Sequence, residues 1–451
     1  MFINLIFFLV AVAVLVSFHE FGHFIVARWM GVRVLKFSVG FGRTIWRWQK
    51  DSNHTEYAIG LVPLGGYVRM LDEREGEVEA AQAHFAFNRK SLSRRSAIVL
   101  AGPVANLALA FFLYWVIALI GTQDLAPVVG KVEAESPAAT AGFLPSDRLL
   151  AVNDRVVEGW SHRRLYLLDQ VARGRDLVFD VERSKGGRLQ ITIPARVFED
   201  TAFEPALLGR VLGLHPALPF WPAGVGAVIE NSPADLAGLK SGDRIQAIDG
   251  VPMSDWSGLV NTVAKKPGVE LVFSVVREGQ VLTVPIVPQA IELNDRTIGR
   301  IGIQSPARQD FPERFVRLQR GPIAGAVQAL ETTWLMSSLT LRMLAGMLTG
   351  KASHEHISGP VSIARYAGQS AKLGIVQFLA FLGVLSVSLG ILNLLPIPIL
   401  DGGHLLYFVV EAIWGRPIPE QIMQWGQQLG VAIIVLLMAL AFYNDILSLV
   451  R

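Results

Sequence analysis

The sequence predicts a polytopic α-helical membrane protein in which four transmembrane helices carry two tandem α/β domains and a small membrane-associated β element. Composition is the first observation that predicts this class, because 51% of the 451 residues are hydrophobic and only 18% are charged. That is too apolar for an ordinary soluble protein. The second observation is a set of long uncharged stretches, and the third is a segment that recurs later in the chain.

Four apolar stretches are predicted to span the membrane, since each approaches or exceeds the roughly 20 residues that a bilayer requires. They lie within residues 1–30, 97–121, 374–400 and 426–451. The first has no basic residue before it and no small-residue cleavage site, so we expect it to be retained rather than removed as a signal peptide.

A further apolar stretch, Ile323–Leu348, carries the charged residues Glu331 and Arg342. We interpret it as an amphipathic helix that lies on the outer surface, within a segment formed by residues 305–373. A fifth membrane span is the alternative.

The basic residues predict the orientation. Lys and Arg are frequent in the loop 31–96, between the first two spans, and none precedes the first span. The positive-inside rule therefore places this loop and the segment 401–425 in the cytoplasm. With four spans, both termini and the region after the second span lie on the opposite side.

The cytoplasmic loop contains two predicted strands. VLKFSVGFGRTIWRW (34–48) and EYAIGLVPLGGYVRML (56–71) surround several glycines, among them Gly40 and Gly42. We expect a hairpin that dips towards the membrane and offers an edge to which an extended substrate adds as a strand. Gly40 and Gly42 are therefore candidates for substrate binding. A hairpin that only braces the first two spans is the alternative.

The region after the second span contains an internal repeat. SPAATAGFLPSDRLLAVND (136–154) aligns without gaps with SPADLAGLKSGDRIQAIDG (232–250). In each copy Ser-Pro opens a short helix, and a strand follows that ends in a tight turn. We predict two α/β domains, at 122–220 and 221–304. The repeat resembles the PDZ domain in its bacterial, circularly permuted form, which implies a peptide-binding groove. A spacer or steric plug without a ligand is the alternative.

A histidine pair and a glutamate near the end of the first span point to a metal. His19, Glu20 and His23 fit the pattern H-E-x-x-H, in which positions i and i+4 share one helix face and both imidazoles reach one ion. Glu20 could then take a proton from a water bound to that ion. Ionisable groups are costly inside a membrane, so a chance match is a poor explanation.

Zinc in a catalytic site usually has three protein ligands, and the chain has no cysteine to supply one. Asp401, in NLLPIPILDGGH (393–404), is the candidate third ligand, with an ordinary interfacial aspartate or helix cap as the alternative. Asn393, Pro396 and Pro398 interrupt helical hydrogen bonding just before it, as expected where backbone lines a cavity.

The predicted topology brings these groups to one depth. The first and third spans both run inward, so their inner ends place the histidine pair and Asp401 near the cytoplasmic face. A fifth span would invert the third and separate them. A second histidine pair, His354 and His356, is interpreted as exposed loop.

Four features together resemble the site-2 protease family of intramembrane zinc metalloproteases. They are HExxH in the first span, AGPVAN (101–106) in the second, the tandem PDZ-like domains, and the NxxPxPxLDG pattern at 393–402. The resemblance covers essentially the whole chain. It implies Zn²⁺ held by His19, His23 and Asp401, with Glu20 as the general base.

The same resemblance implies further roles and partners. Asn106, Asn393, Pro396 and Pro398 would contact substrate or support the metal ligands. The location would be the bacterial inner membrane, with the PDZ-like domains and both termini in the periplasm. Substrates would be single-pass membrane proteins already trimmed outside, such as an anti-sigma factor stub or remnant signal peptides.

Two other functions remain open from the sequence. One is a non-catalytic PDZ adaptor that binds exported peptides at the membrane, and the other is a metal or proton transporter that uses the same buried groups. The formal net charge is only +3, and we predict no nucleic-acid partner.

Overall fold

The computed structural model describes residues 2–51, 54–198, 206–218, 222–293, 296–305, 314–350 and 359–450. The α-helices in these ranges are α1 (Phe2–Trp29), α2 (Leu92–Ile120), α3 (Pro137–Ala141), α4 (Arg164–Ala172), α5 (Pro233–Leu236), α6 (Trp256–Ala264), α7 (Pro322–Leu348), α8 (Pro360–Leu373), α9 (Ile375–Asn393), α10 (Asp401–Trp414) and α11 (Glu420–Val450).

Besides a few short 3-10 and π helices, the same ranges contain eighteen β-strands. They are β1 (Val34–Trp48), β2 (Glu56–Met70), β3 (Thr122–Leu125), β4 (Val129–Val132), β5 (Arg148–Val152), β6 (Arg155–Val156), β7 (Leu177–Glu182), β8 (Arg188–Ile193), β9 (Leu214–Pro216), β10 (Ala227–Val228), β11 (Arg244–Ile248), β12 (Val251–Pro252), β13 (Leu271–Arg277), β14 (Gln280–Ile286), β15 (Gln289–Leu293), β16 (Arg296–Arg300), β17 (Ile303–Gln304) and β18 (Phe315–Leu318).

Four helices in the described part of the chain are long and apolar enough to cross a membrane: α1, α2, α9 and α11. The predicted number of spans is thus confirmed, and α7 is a helix outside this set. The architecture is that of a polytopic membrane protein with β domains.

The ends of the spanning helices differ from the prediction. The third was expected to run to residue 400, but α9 ends at Asn393. Proline has no N–H to donate, and it disfavours helical backbone in the residue before it. Pro396 and Pro398 therefore keep the apolar run 394–400 out of the helix. The second and fourth helices begin earlier than predicted, at Leu92 and Glu420.

Helix α2 lies between α1 and α9, and the three alternate in direction. Gly22 of α1 is so close to α2 that an added Cβ would lie 2.3 Å from the carbonyl oxygen of Ala101. Gly390 of α9 faces Pro103 and Leu107 in the same way. The C-terminal halves of α1 and α9 therefore meet the N-terminal half of α2. This arrangement brings the HExxH motif and the end of α9 to one end of the bundle.

The opposite end is closed by α7, α8 and the C-terminus of α11. The buried carboxylate of Asp445 in α11 accepts hydrogen bonds from the backbone N–H groups of Gly359, Val361 and Ser362, at the start of α8. The indole N–H of Trp115 in α2 donates to the carbonyl oxygen of Pro322 at 2.9 Å. The C-terminal end of α2 is thus fixed to the start of α7, and that of α11 to the start of α8.

Strands β1 and β2 form the predicted hairpin. Both strands bend, so that Ser38 has partners in two parts of β2, Tyr67 and Ala58. The bend requires glycine: Gly40 has φ of +91°, and its Cβ would lie 2.8 Å from the carbonyl oxygen of Gly60. The last part of β1 pairs with the start of β2, and there Trp46 and Trp48 are more than half exposed.

The repeat forms two units of the same topology. Their four-stranded antiparallel sheets have the orders β6-β5-β7-β8 and β12-β11-β13-β14, and each unit adds a short second pair, β4–β9 or β10–β17. The predicted strands and short helices are present in both. The turns after β5 and β11 have positive φ at both central residues, which suits Asn153-Asp154 and Asp249-Gly250.

Residues shared by the two copies stabilise this fold. Ser136 and Ser232 accept a hydrogen bond from the backbone at the start of α3 and α5. Asp243 is buried, and hydrogen bonds from Arg277 hold its pKa below the usual range. Its counterpart Asp147 pairs with Arg183. Folding therefore accounts for these four shared residues.

The first unit is attached to the helices. Strand β3 pairs with β18, which leads into α7. Ion pairs join Arg155 to Glu331 and Arg320 to Glu158, and the hydroxyl of Ser338 in α7 lies 3.2 Å from a carboxylate oxygen of Asp169. Helix α7 therefore contacts both α2 and the first unit.

Candidate metal centre

The histidine pair of α1 points two imidazole nitrogens at one spot. His19 and His23 lie one helical turn apart, and their Nε2 atoms are 3.2 Å apart. The rings meet edge to face, with centroids 4.8 Å apart. Two nitrogens with available lone pairs at this distance suit a shared cation better than each other.

Helix α2 orients both imidazoles from behind. The Nδ1 of His23 donates to the backbone carbonyl oxygen of Ile98 at 2.8 Å, which leaves Nε2 free to bind a metal. The Nδ1 of His19 lies 3.1 Å from the buried side-chain amide of Asn106. The amide atom at this distance is Nδ2, while the buried Oδ1 has no hydrogen-bond partner among the described residues. With the amide turned over, a protonated Nδ1 donates to Oδ1, and both rings then present Nε2 to the same point.

Gly102 makes room for the two rings. A Cβ at this position would lie 2.2 Å from Nε2 of His23 and 2.8 Å from Cε1 of His19. Only glycine fits so close an approach of a helix backbone to two side chains. The segment AGPVAN therefore supplies both a hydrogen-bond partner and the space for the two imidazoles.

Asp401 completes the group from the other end of the chain. It is the first residue of α10, and its Oδ2 lies 3.2 Å from Nε2 of His19 and 3.5 Å from Nε2 of His23. That buried oxygen has no hydrogen-bond partner among the described residues. Gly402 and Gly403 let the turn 394–400 pack on α10, because a Cβ on either would lie within 2.3 Å of a carbonyl oxygen of that turn.

The donor set fits Zn²⁺. The ligand atoms of His19, His23 and Asp401 all lie within 4.8 Å of one another. Zinc bonds of about 2.0–2.2 Å at tetrahedral angles place neighbouring ligand atoms roughly 3.3–3.5 Å apart, close to the three observed distances. Two imidazoles and one carboxylate leave a fourth position open, as in catalytic rather than structural zinc sites.

Glu20 faces a cavity next to these ligands. The cavity has a volume of about 680 Å³, and its lining includes Glu20, His23 and Asp401. Polar residues that line it towards the predicted cytoplasmic side include Asp72, Arg74, Glu75 and Glu411. Water can therefore reach the group from that side. Glu20 is not one of the three clustered ligands, which leaves its carboxylate available for proton transfer.

The hairpin reaches the same site. A Cβ on Gly66 of β2 would lie 3.1 Å from Cγ of Glu20, and Val68 lines the cavity. The part of β2 that follows the bend thus runs directly past the proposed general base. Gly40 and Gly42 lie in the bend of β1, where their positive φ angles shape the hairpin.

The remaining predicted residues lie at the end of α9. Asn393 is its last residue, and Pro396 and Pro398 lie in the turn that leads to Asp401. Pro398 packs against Gly426 of α11. These three residues form the connection between α9 and Asp401, so the role that their placement supports is to position Asp401 beside the histidines.

The structure does not describe the second predicted histidine pair, but it does describe His404. His354 and His356 lie outside the described residues. His404 lines the cavity but is not part of the three-ligand group. Burial lowers its pKa, so the imidazole is neutral at pH 7.

The sequence reasoning missed Gly102, Gly66 and the carbonyl group of Ile98. The signal for Gly102 was present, since a glycine inside an otherwise apolar helix usually marks close packing. Nothing local distinguishes Ile98, because only its backbone is used.

Comparison with known proteins gives a consistent result. Residues 7–437 match the family described as Peptidase family M50. The chain is 42% identical over 441 residues to the Regulator of sigma-E protease RseP of Escherichia coli strain K12, and the match covers 97% of each chain. It is 40% identical over 445 residues to the Regulator of sigma E protease of Salmonella typhi, with 98% of each chain covered. It is also 40% identical over 446 residues to a Neisseria meningitidis protein named as a zinc metalloprotease, again with 98% of each chain covered.

Proposed function

The chain belongs to peptidase family M50, the site-2 protease family, and is a zinc metalloprotease; from this premise we propose that it cleaves single-pass transmembrane segments within the inner membrane of a bacterium. The observation that carries the proposal is the group formed by His19, His23 and Asp401, which lies at one end of four apolar helices and opens into a cavity beside Glu20.

The residues of this group divide the chemistry among them. When bound, zinc supplies a Lewis acid that polarises a peptide carbonyl group and acidifies a water molecule. His19, His23 and Asp401 would hold the ion, with His23 oriented by Ile98 and His19 by Asn106. Glu20 takes the proton of the attacking water as the general base and returns it to the leaving amine.

The proposed orientation follows from the helix ends. Arg28, Arg89, Lys90, Arg94 and Arg95 lie near the end of the bundle that holds the metal ligands. This supports a metal centre near the cytoplasmic face of the membrane, with both termini and the two repeat units in the periplasm. The repeat units are proposed to be PDZ-like.

Substrate binding is proposed to use the hairpin. A helical substrate hides its peptide groups in its own hydrogen bonds and must become extended before attack. The stretch of β2 around Gly66 and Val68 lies next to Glu20, where an extended segment could add as a strand. Single-pass proteins already trimmed outside, such as an anti-sigma factor stub or remnant signal peptides, fit this arrangement.

We expect residues that break helices to make a substrate easier to cleave. Placing Gly or Pro beside the scissile bond of a single-pass segment should raise its cleavage rate, and replacing native breakers with Leu should lower it. The rates are measured on matched segments in bilayer nanodiscs with purified protein. Equal rates for the stiffened and loosened segments would contradict the strand-addition model.

The two repeat units are proposed to exclude substrates with bulky outer domains. The first unit contacts α7 and the outer end of α2, so it lies over the outer side of the bundle. Deleting residues 127–303 should allow cleavage of an untrimmed substrate while cleavage of its trimmed form continues. If the deleted protein still requires trimming, the units do not act as a size filter.

The adaptor and transporter alternatives are not favoured. A peptide adaptor has no use for three buried ligands aimed at one point. A transporter would need several such groups along a path, whereas the described residues contain one.

A further inference from the structure

One face of α2 contacts both histidines of the metal centre. Arg95, Ile98, Gly102 and Asn106 follow one another at intervals of three and four residues, which places them on one side of the helix. Ile98 and Asn106 orient the two histidines, and Gly102 packs against both rings. Arg95 is the remaining member of this series, and the histidines do not contact it.

Helix α10 has a matching face. Asp401, His404, Phe408 and Glu411 all line the cavity described above, and their spacing of three and four residues places them on one side of α10. Asp401 begins this face at the metal centre, and Glu411 ends it nearly three turns later.

Arg95 and Glu411 join the two faces. Nη2 of Arg95 donates to Oε1 of Glu411 at 2.5 Å, and Nη1 donates to Oε2 at 3.1 Å. The side chains are only 11% and 17% exposed. The guanidinium group also lies over the ring of Phe408, 5.0 Å from its centroid. A two-point pair between a planar guanidinium and a carboxylate fixes direction as well as distance.

The three metal ligands are held in different ways. His19 and His23 belong to one helix and are fixed by α2 directly. Asp401 follows the non-helical turn 394–400, so its position depends on how α10 docks. Helix α10 packs against α2, and its ion pair to that helix is the Arg95–Glu411 pair.

We propose that Arg95 and Glu411 are positioning residues that dock α10 on α2 and so hold the carboxylate of Asp401 at the metal. The inference rests on the proposed ligand set of His19, His23 and Asp401. It predicts that the pair governs metal affinity although neither residue touches the metal.

The test measures zinc binding by purified full-length protein in nanodiscs, by competition with a chromogenic chelator. Arg95→Gln and Glu411→Gln should each weaken zinc binding by about 10–100-fold, the range for partners that orient metal ligands. The double variant should be no weaker than either single variant, because each change already breaks the same pair. Arg94→Ala is the matched control, since this exposed neighbour has no ion pair among the described residues, and it should bind zinc normally.

A second readout separates positioning from general stability. The rise in Tm that zinc causes should shrink in the Gln variants, because a ligand that binds less tightly stabilises less. A purely structural pair would lower Tm equally with and without zinc, and that result would overturn the proposal. If Arg95→Gln does not fold, Arg95→Lys, which keeps the charge but loses the two-point geometry, should show the same smaller zinc-dependent rise.

Asp401→Asn distinguishes failure of this inference from failure of the ligand set. Normal zinc affinity in Asp401→Asn would exclude Asp401 as a ligand, and the proposed role of the Arg95–Glu411 pair would then be wrong as well. Weak zinc affinity in Asp401→Asn, together with normal affinity in Arg95→Gln and Glu411→Gln, would support the ligand set. It would reject only the positioning role of the Arg95–Glu411 pair.

Discussion

Replacing Glu20 with Gln is expected to abolish peptide-bond cleavage while zinc remains bound. The side chain lies beside the metal ligands and faces the same cavity, yet it is not part of the three-ligand group. Glutamine keeps the size and polarity of the side chain but cannot accept a proton at neutral pH. Loss of a general base slows catalysis by about 10²–10⁴-fold.

Two measurements on the same preparation test this expectation. The cleavage rate of a fluorescent single-pass segment is measured in nanodiscs, and the zinc content by atomic absorption. Glu77→Gln is the matched control, because this exposed glutamate lies in the loop between α1 and α2, outside the lining of the cavity. Cleavage within tenfold of the unchanged protein would exclude Glu20 as the base. Loss of zinc from Glu20→Gln would instead assign the residue to metal binding. An adaptor would show no change at all.

The histidine pair was predictable because its signal is local. The i, i+4 spacing in a helical segment places both rings on one face whatever the rest of the fold does. Asp401 required one more step, since the alternation of four spans had to bring the ends of the first and third helices together. The hairpin was also predictable, because its strands and glycines lie close together in the chain. The ligand assignment itself stays a prediction that zinc measurements can test.

The end of α9 was not predictable from apolar character. The run 394–400 is as hydrophobic as the helix before it, so a window of hydropathy extends the span to Leu400. Proline determines where α9 ends, since two prolines within three residues cannot continue the helix. The result is a turn that places Asp401 at the start of a new helix, α10, where the sequence had suggested only a cytoplasmic segment.

The Arg95–Glu411 pair could not be predicted from the positive-inside rule, which is the only sequence argument that used Arg95. Arg95 counted only as one of many basic residues on the cytoplasmic side, which is a statement about topology. Its partner is 316 positions away in the chain, and no local pattern links the two. A contact between helix faces depends on how the helices pack, which sequence spacing alone does not specify.

Gly102→Ala is expected to disrupt the metal centre although the change adds one methyl group and favours helix formation. The new Cβ would lie 2.2 Å from Nε2 of His23 and 2.8 Å from Cε1 of His19, well inside van der Waals contact. Neither ring can move freely, because His23 is hydrogen-bonded to the carbonyl oxygen of Ile98 and His19 contacts the amide of Asn106. We expect zinc affinity to fall by at least about 100-fold, since displacing a ligand costs more than the 10–100-fold typical of an outer partner.

A second glycine in a helix isolates this effect. Gly325 of α7 also packs against α2, but an added Cβ would meet Ala118 and Trp115 at an ordinary 3.4 Å. Intrinsic helix propensity favours Ala over Gly by about 1 kcal/mol at either site. Gly325→Ala should therefore bind zinc normally and keep or raise its Tm. Gly102→Ala should lose zinc, and with it the zinc-dependent part of Tm. If Gly102→Ala binds zinc as tightly as Gly325→Ala does, the close contact between Gly102 and the two imidazoles does not control the metal centre, and the prediction is wrong.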